Sequence, residues 1–313
     1  MSLYESIQIA KQERIQNGYL LECSFYPTSH WVYLLSQAKR QNLNYVQIEN
    51  KNVQSFANTI GFNRIIGTNV LPQNVERPKM GKNYSMIQEI INKDFTDTAT
   101  GNIAECFESF FSGNVYQESG YRSQVFKTIG ELHDNVSSHS GSSGYSIAQI
   151  CNDKFEFSIS DFGKGFLAEL KQNMPGLQIT MDSDAIKWCL QKGNTTKRSD
   201  EFDQYLPVDF VGQSPMTGVK HSWRNDGNHH QGFGLFLLHE LALKFGGILE
   251  IASGSCYYQL ANDGLECYTD LGEKIAGVSV SISFNLSDVR SIVQNRQVLD
   301  SIHESIVIRG NEL

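Results

Sequence analysis

The sequence predicts an α/β fold on three observations. Short apolar runs alternate with amphipathic helical stretches, and Gly, Asn and Asp punctuate them at short intervals. The 313 residues, 40% hydrophobic and 11% aromatic, also suffice for well-buried cores. Residues 1–95 read as a small α/β unit: strands "LLECSFY" (20–26), "YVQIEN" (45–50) and "YSMIQEII" (84–91), with helices "HWVYLLSQAKRQ" (30–41) and "VQSFANTIGF" (53–62). The polar, turn-rich run "NKDFTDTATGN" (92–102) marks a boundary. Helices at 102–112 and 121–139 follow, then a hairpin of 145–151 and 155–160 turned at Asn152 and Asp153. The 121–139 helix carries an apolar stripe at Val125, Ile129, Leu132 and Val136, the spacing of one buried face. A later helix, 234–245, puts Leu235, Leu238, Ala242 and Phe245 on one face and stops at Gly246 and Gly247. Strands 248–253 and 277–284 complete a second unit, 102–285, as a mixed sheet with helices on one face in two layers. Residues 286–313 form a tail, helical over roughly 286–306.

Charge and cysteine usage narrow the function classes. A net charge of −8 argues against nucleic-acid or anionic-membrane partners, because both require clustered Lys and Arg. Six cysteines are scattered without a C-x-x-C pair. The first twenty residues carry charges throughout and do not resemble a signal peptide, and no apolar run is long enough to span a bilayer. A cytoplasmic protein with free thiols is expected. No G-x-x-x-x-G-K-[ST] is present, which excludes a P-loop.

Three stretches are able to carry chemistry. In "IGELHDNVSSHSG" (129–141), Glu131, Asn135 and His139 recur every four residues along the rim of the apolar stripe. A carboxylate there suits a general base and an amide oxygen suits magnesium, although a solvated face explains the spacing equally well. In "FEFSISDFGKGF", period-2 alternation puts Phe155, Phe157, Ile159 and Asp161 on one side of a strand. A carboxylate continuing an apolar face is costly to bury without a hydrogen-bond donor, and a purine amino group is a suitable one. Gly163 and Gly165 then let backbone approach a flat ring or a phosphate. The plainer reading is a strand ending in a turn. In "HHQGFGLFLLHELALKF", Gly232 and Gly234 open a helix whose free N–H groups attract phosphate, or merely form a flexible entry to it.

In this order the three stretches resemble the ATP-binding domain shared by gyrase, the large chaperone ATPases, histidine kinases and MutL, the GHKL superfamily. Glu131, Asn135 and His139 match its N box. Asp161, Gly163 and Gly165 match D-x-G-x-G, and Gly232, Gly234 and Leu235 match its later glycine box. Gly246, Gly247 and Ser253 fall where the family often has a Gly pair and a strand-end Ser. The likeness covers about 125–285. It implies ATP and Mg2+ as cofactors, with Asn135 as the magnesium ligand and Asp161 accepting the adenine amino hydrogen. Gly163, Gly165, Gly232 and Gly234 would shape the walls, and Glu131 would orient or deprotonate the nucleophile. Two readings of His139 stand, a hydrogen bond near the phosphates and a satisfied core histidine.

The departures from the pattern are specific. His230 replaces the first glycine of the later box, and Val278–Ser279 stand where a Thr often supports adenine. More than sixty residues between Gly165 and Gly232 imply a long nucleotide lid. Its "KGNTTKRSD" (192–200) puts Lys192, Lys197 and Arg198 within reach of a terminal phosphate, or forms a solvated basic loop. The cluster of His221, His229 and His230 lacks a Cys or carboxylate at ligand spacing and reads as a polar loop. The α/β character of 1–95, and a His30 without an acidic neighbour in sequence, argue against a sensor histidine kinase. The expectation is an ATPase or a serine/threonine kinase resembling the anti-sigma-factor kinases. The alternative is an ATP-dependent switch that engages a protein partner through residues 1–95. A homodimer fits either.

Overall fold

A side-chain cap starts the first helix. Ser2 and Glu5 form a reciprocal capping box at α1 (Leu3–Gln12), with Ser2 Oγ 3.1 Å from the Glu5 N–H and Glu5 Oε2 2.7 Å from the Ser2 N–H. The computed structural model describes residues 1–67, 81–111, 116, 120–194 and 234–295, and it is a mixed α/β structure. After α1 come β1 (Arg14–Ile15), β2 (Gly18–Leu21), α2 (Thr28–Arg40) and β3 (Tyr45–Ile48), then α3 (Lys51–Thr59) and α4 (Phe62–Ile66). The strands form a three-stranded sheet in the order β1-β2-β3, antiparallel and then parallel.

β4 (Gln88–Ile90) does not join that sheet. It pairs with the strand beginning at Gly144, within a sheet contributed mainly by the second half of the chain. Between them lie α5 (Thr96–Phe111) and α6 (Tyr121–Asn135). The hairpin forms where expected, as β5 (Gly144–Cys151) and β6 (Lys154–Asp161). Asn152 (φ 49°) and Asp153 (φ 62°) both take the left-handed conformation that a two-residue hairpin turn requires. α7 (Phe166–Asn173), α8 (Asp182–Cys189) and α9 (Gly234–Phe245) follow, then β7 (Ile248–Leu260) and β8 (Glu266–Asn285), both longer than the sequence pattern indicated. Residues 286–295 are helical, and the rest of the tail lies outside the described residues.

The five-stranded sheet runs β4-β5-β6-β8-β7, and every pairing is antiparallel where a mixed sheet was expected. One face carries Phe155, Phe157, Ile159, Val280, Ile282 and Phe284. It packs against Ile103 and Phe107 of α5, Ile129 and Leu132 of α6, and Leu238 and Phe245 of α9. The other face is covered too, which departs from helices on one face only. α2 crosses β5, β6 and β8, and Trp31, Leu34 and Leu35 share a core with Tyr145, Ile147 and Ala252.

The alternate residues of β6 and β8 at this second contact are serines. Thr28 Oγ1 lies 2.8 Å from Ser158 Oγ, which donates to Ser281 Oγ at 3.0 Å. Ser160 Oγ sits 2.8 Å from Ser36 Oγ and 2.7 Å from Ser279 Oγ. A buried hydroxyl left without a partner costs about 1–3 kcal/mol. Ser160→Ala, which strips one contact from each of two buried hydroxyls, is therefore expected to lower stability by about 2 kcal/mol in urea unfolding. An unchanged midpoint would show that the hydroxyls do not cooperate. Among the described residues, no helix is long and apolar enough to cross a membrane.

Candidate functional site

The predicted polar helix does not end as a regular α-helix. α6 closes at Asn135 and passes into a π-helical turn, Val136–Ser140, ended by Gly141 at φ 66°. Such wide turns occur mostly as single insertions, often at functional sites. Val125, Ile129, Leu132 and Val136 are buried as the stripe predicts, and they hold the helix against the sheet. Asn135 and His139 face the same cavity. His139 is not a core residue. Its Nδ1 lies 3.4 Å from Glu169 Oε1 on α7, and Lys164 Nζ lies 2.8 Å from Glu169 Oε2. Burial pushes the Glu169 carboxyl up, but Lys164 and His139 outweigh it and hold the pKa below the usual range. The core histidine of this helix is His133, bridged by Thr100 Oγ1 at 2.7 Å and Ser146 Oγ at 2.8 Å.

Glu131 lies one turn before Asn135, half-buried, and is not among the residues lining the cavity. Both meet α9 at Gly234. A Cβ there would stand 2.6 Å from Asn135 Nδ2 and 3.3 Å from Glu131 Cβ, so the bare backbone lets the two helices touch. Leu235, the next residue, lines the cavity. Gly232, Lys197, Arg198, His221, His229 and His230 lie outside the described residues.

Asp161 ends β6 on the apolar face, as the alternation predicts, and is 6% exposed. Its Oδ1 accepts the Gly163 N–H at 2.8 Å. Burial pushes its pKa up to about 7, against the opposing pull of the Gly163 and Val278 backbone N–H groups. Gly163 is needed for close approach, since a Cβ would lie 2.1 Å from the Ser140 carbonyl oxygen. Gly277 does the same from β8: at φ 72°, its Cβ would lie 2.1 Å from the Asp161 carbonyl oxygen. Sequence spacing does not single out Gly277, because it reads as the first residue of a strand. Gly165 lines the cavity, and the Phe166 N–H beside it donates to Ser253 Oγ at 3.1 Å, which anchors α7 to β7.

The cavity measures about 120 Å3. Asp161, Ile159, Val278 and Val280 line it, together with the apolar Phe166, Leu170 and Trp188. Sequence spacing gave no sign of Phe166, Trp188 or Glu169. Six residues expected at the site (Asn135, His139, Asp161, Gly165, Gly234 and Leu235) meet here, and Gly163 supports Asp161 from behind. No Lys or Arg lines the cavity among the described residues. Nor do those residues include a group of three or more His, Cys, Asp or Glu able to hold a metal.

His30 is fully buried, its ring stacked on Tyr26 at 4.3 Å and 3.6 Å from the Glu13 carboxylate. Burial lowers its pKa to about 3, so it is neutral and sealed from a phosphoryl donor. The chain matches no protein-family model, curated protein or solved structure.

Proposed function

We propose that this chain is a Mg-ATP-binding protein of the GHKL type, using ATP for hydrolysis or for serine/threonine phosphotransfer. In this reading residues 102–285 are a two-layer ATP-binding domain, and 1–95 a small α/β unit placed before it. One observation carries the proposal: a buried carboxylate, Asp161, lines one cavity together with Asn135, His139 and Gly234. One Asp161 oxygen takes the Gly163 N–H, and the carboxylate keeps further acceptor capacity for an amino hydrogen. The apolar wall around it suits a flat ring.

The donor set fits magnesium of the kind that keeps most of its waters and takes phosphate oxygens. Such an ion needs one or two protein ligands, and Asn135 offers one amide oxygen. When bound, the ion would neutralise charge on the phosphates. Asn135 would hold it, and Glu131, one turn away on α6, would take the proton from the attacking water or hydroxyl.

Incubating the protein with ATP labelled at the γ-phosphate tests this. Glu131→Ala is expected to cut phosphate release by at least about a hundredfold, the usual scale for a general base, while ATP still binds. Release at the parent rate would remove Glu131 from the chemistry, and label on protein would identify a kinase. Failure of the parent to bind ATP at all would end the reading.

The alternative, a switch that engages a protein partner through 1–95, has its own support. α2 lies on the back of β6, the strand that ends in Asp161, so both faces of one strand are engaged. Stoichiometric retention of intact ATP would favour it. A homodimer and a cytoplasmic location fit both versions, and neither requires nucleic acid or membrane.

A further inference from the structure

We infer that α2 acts on the cavity at Asp161 from the back of the sheet, with Ser36 and Gln37 as positioning residues that hold both strand ends converging there. The ligand is the ATP proposed above, so the affinity part of the test rests on that reading. The seating of the two strands does not.

Two adjacent side chains of one helix reach two different strands. Ser36 Oγ accepts from Ser160 Oγ at 2.8 Å, and Ser160 is the residue before Asp161. Gln37 Nε2 donates to the Ala276 carbonyl oxygen of β8 at 3.1 Å. The two contacts are tied together, because Gln37 Nε2 also donates to Ser36 Oγ at 3.4 Å. Ser36 Oγ in turn donates to the Tyr33 carbonyl at 2.8 Å, so its one donor and two acceptor positions are all used and its orientation is fixed. Ser36 and Gln37 are both buried. Phe162, the residue after Asp161, stacks on Tyr145 and packs against the core that includes Leu34 and Leu35 of α2. Asp161 is therefore flanked on both sides in sequence by residues held on the α2 side of the sheet.

The Ala276 contact matters because of the residues that follow it. Gly277 passes so close that a Cβ on it would stand 2.1 Å from the Asp161 carbonyl oxygen. The Val278 N–H acts on the Asp161 carboxylate. The Gly277 carbonyl oxygen also crowds Gly165, where a Cβ would lie 3.3 Å from it. Gly165 and Val278 both line the cavity. A shift of the 276–277 peptide would thus move one hydrogen-bond donor to Asp161 and two lining residues at once. Gln37 holds that peptide from behind.

The same helix belongs to the first part of the chain. It packs on α1 and α4, and Ser29 Oγ lies 3.0 Å from Ser6 Oγ. A change there that draws α2 off the sheet would loosen the strand ends at Asp161 and lower affinity in the cavity. Coupling of this kind is reciprocal, so a ligand in the cavity would hold α2 on the sheet.

Gln37→Met keeps the length of the side chain and removes its amide donor. Amide hydrogen exchange on the full chain is expected to quicken about tenfold at Val278, the scale of one lost hydrogen bond, and to keep the parent's rate at Ile282 further along β8. The Kd for ATP is expected to rise about tenfold as well. Gln37→Asn, one methylene too short to reach Ala276, should act alike, and it carries the test if Gln37→Met lacks the parent's circular dichroism. A merely structural role would quicken exchange by one factor across the sheet. Exchange at Val278 that is unchanged, or raised no more than at Ile282, would overturn the positioning role. Faster exchange with an unaltered Kd for ATP would overturn its bearing on the cavity. A parent that binds no ATP would end the nucleotide reading alone, since exchange at Val278 still decides what Gln37 holds.

Discussion

Replacing Asp161 with Asn is expected to weaken ATP binding about a hundredfold without lowering stability above pH 7. The geometry leaves an amide no good orientation. The Gly163 and Val278 N–H groups both act on this carboxylate; if the Asn amide oxygen turns to the Gly163 N–H at 2.8 Å, its NH2 takes the place of the other oxygen. Two donors then confront each other where, in the proposed complex, the carboxylate accepts the adenine amino group. Losing a charge-assisted hydrogen bond and leaving a buried donor unpaired costs about 3 kcal/mol together, which is about a hundredfold.

The pH dependence has a definite sign. The Asp161 carboxyl rises from 3.8 when unfolded to about 7 when folded, so the folded state binds more protons between those values. Its contribution to stability is complete below 3.8 and is lost as pH rises through about 7. The melting temperature of Asp161→Asn should therefore fall less than the parent's between those limits. ATP binding runs the other way. An amino donor favours the carboxylate, so affinity should rise from pH 6 to pH 8 with proton release, and the Asn variant should show neither. Calorimetry in two buffers of different ionisation enthalpy reads both. A flat parent profile would mean that Asp161 does not contact the base.

The second large effect is expected at Gly277. An alanine there takes φ 72°, which costs about 1–2 kcal/mol for a residue with a side chain. Its methyl would also stand 2.1 Å from the Asp161 carbonyl oxygen and 2.7 Å from Oδ1. The nearest atom is backbone and cannot rotate away, so β8 must shift relative to β6, at about 1–3 kcal/mol for overpacking. Gly277→Ala should thus lose about 3 kcal/mol in urea unfolding, and ATP binding with it. Gly101 provides the contrast. It lies in α5 with nothing within 4 Å of where a methyl would stand, so Gly101→Ala should add up to about 1 kcal/mol. Equal effects at the two positions would refute the close-approach argument.

Periodicity made part of this legible. The β6 alternation put Asp161 on the apolar face, the α6 stripe set the rim carrying Asn135 and His139, and Asn152–Asp153 marked the hairpin turn. Gly277 was not legible, because what it avoids is an atom of residue 161, distant in sequence. The second face of the sheet was hidden for a related reason. The alternating Ser158, Ser160, Ser279 and Ser281 read as a solvated surface, and so do His30, Ser36 and Gln37 on α2. Thr28 and Ser36 in fact meet Ser158 and Ser160 with their hydroxyls paired across the contact, while His30 is buried beside Tyr26 and Glu13, and an amphipathic pattern cannot reveal that. β4 was assigned to the small unit by proximity in sequence, whereas its partner, β5, begins more than fifty residues later.

The core shared by α2 and the back of the sheet also constrains the order of assembly. The Leu3 N–H donates to Glu250 Oε1 at 2.9 Å, and Lys11 Nζ to the Leu271 carbonyl at 2.9 Å, across some 250 residues of chain. During synthesis the first helices leave the ribosome long before the strands that bury them exist. Until those strands arrive, the part of this core that comes from Tyr145, Ile147 and Ala252 is missing, and α2 lacks its cover there. Such long-range closure slows folding and prolongs the interval in which apolar surface is exposed to aggregation.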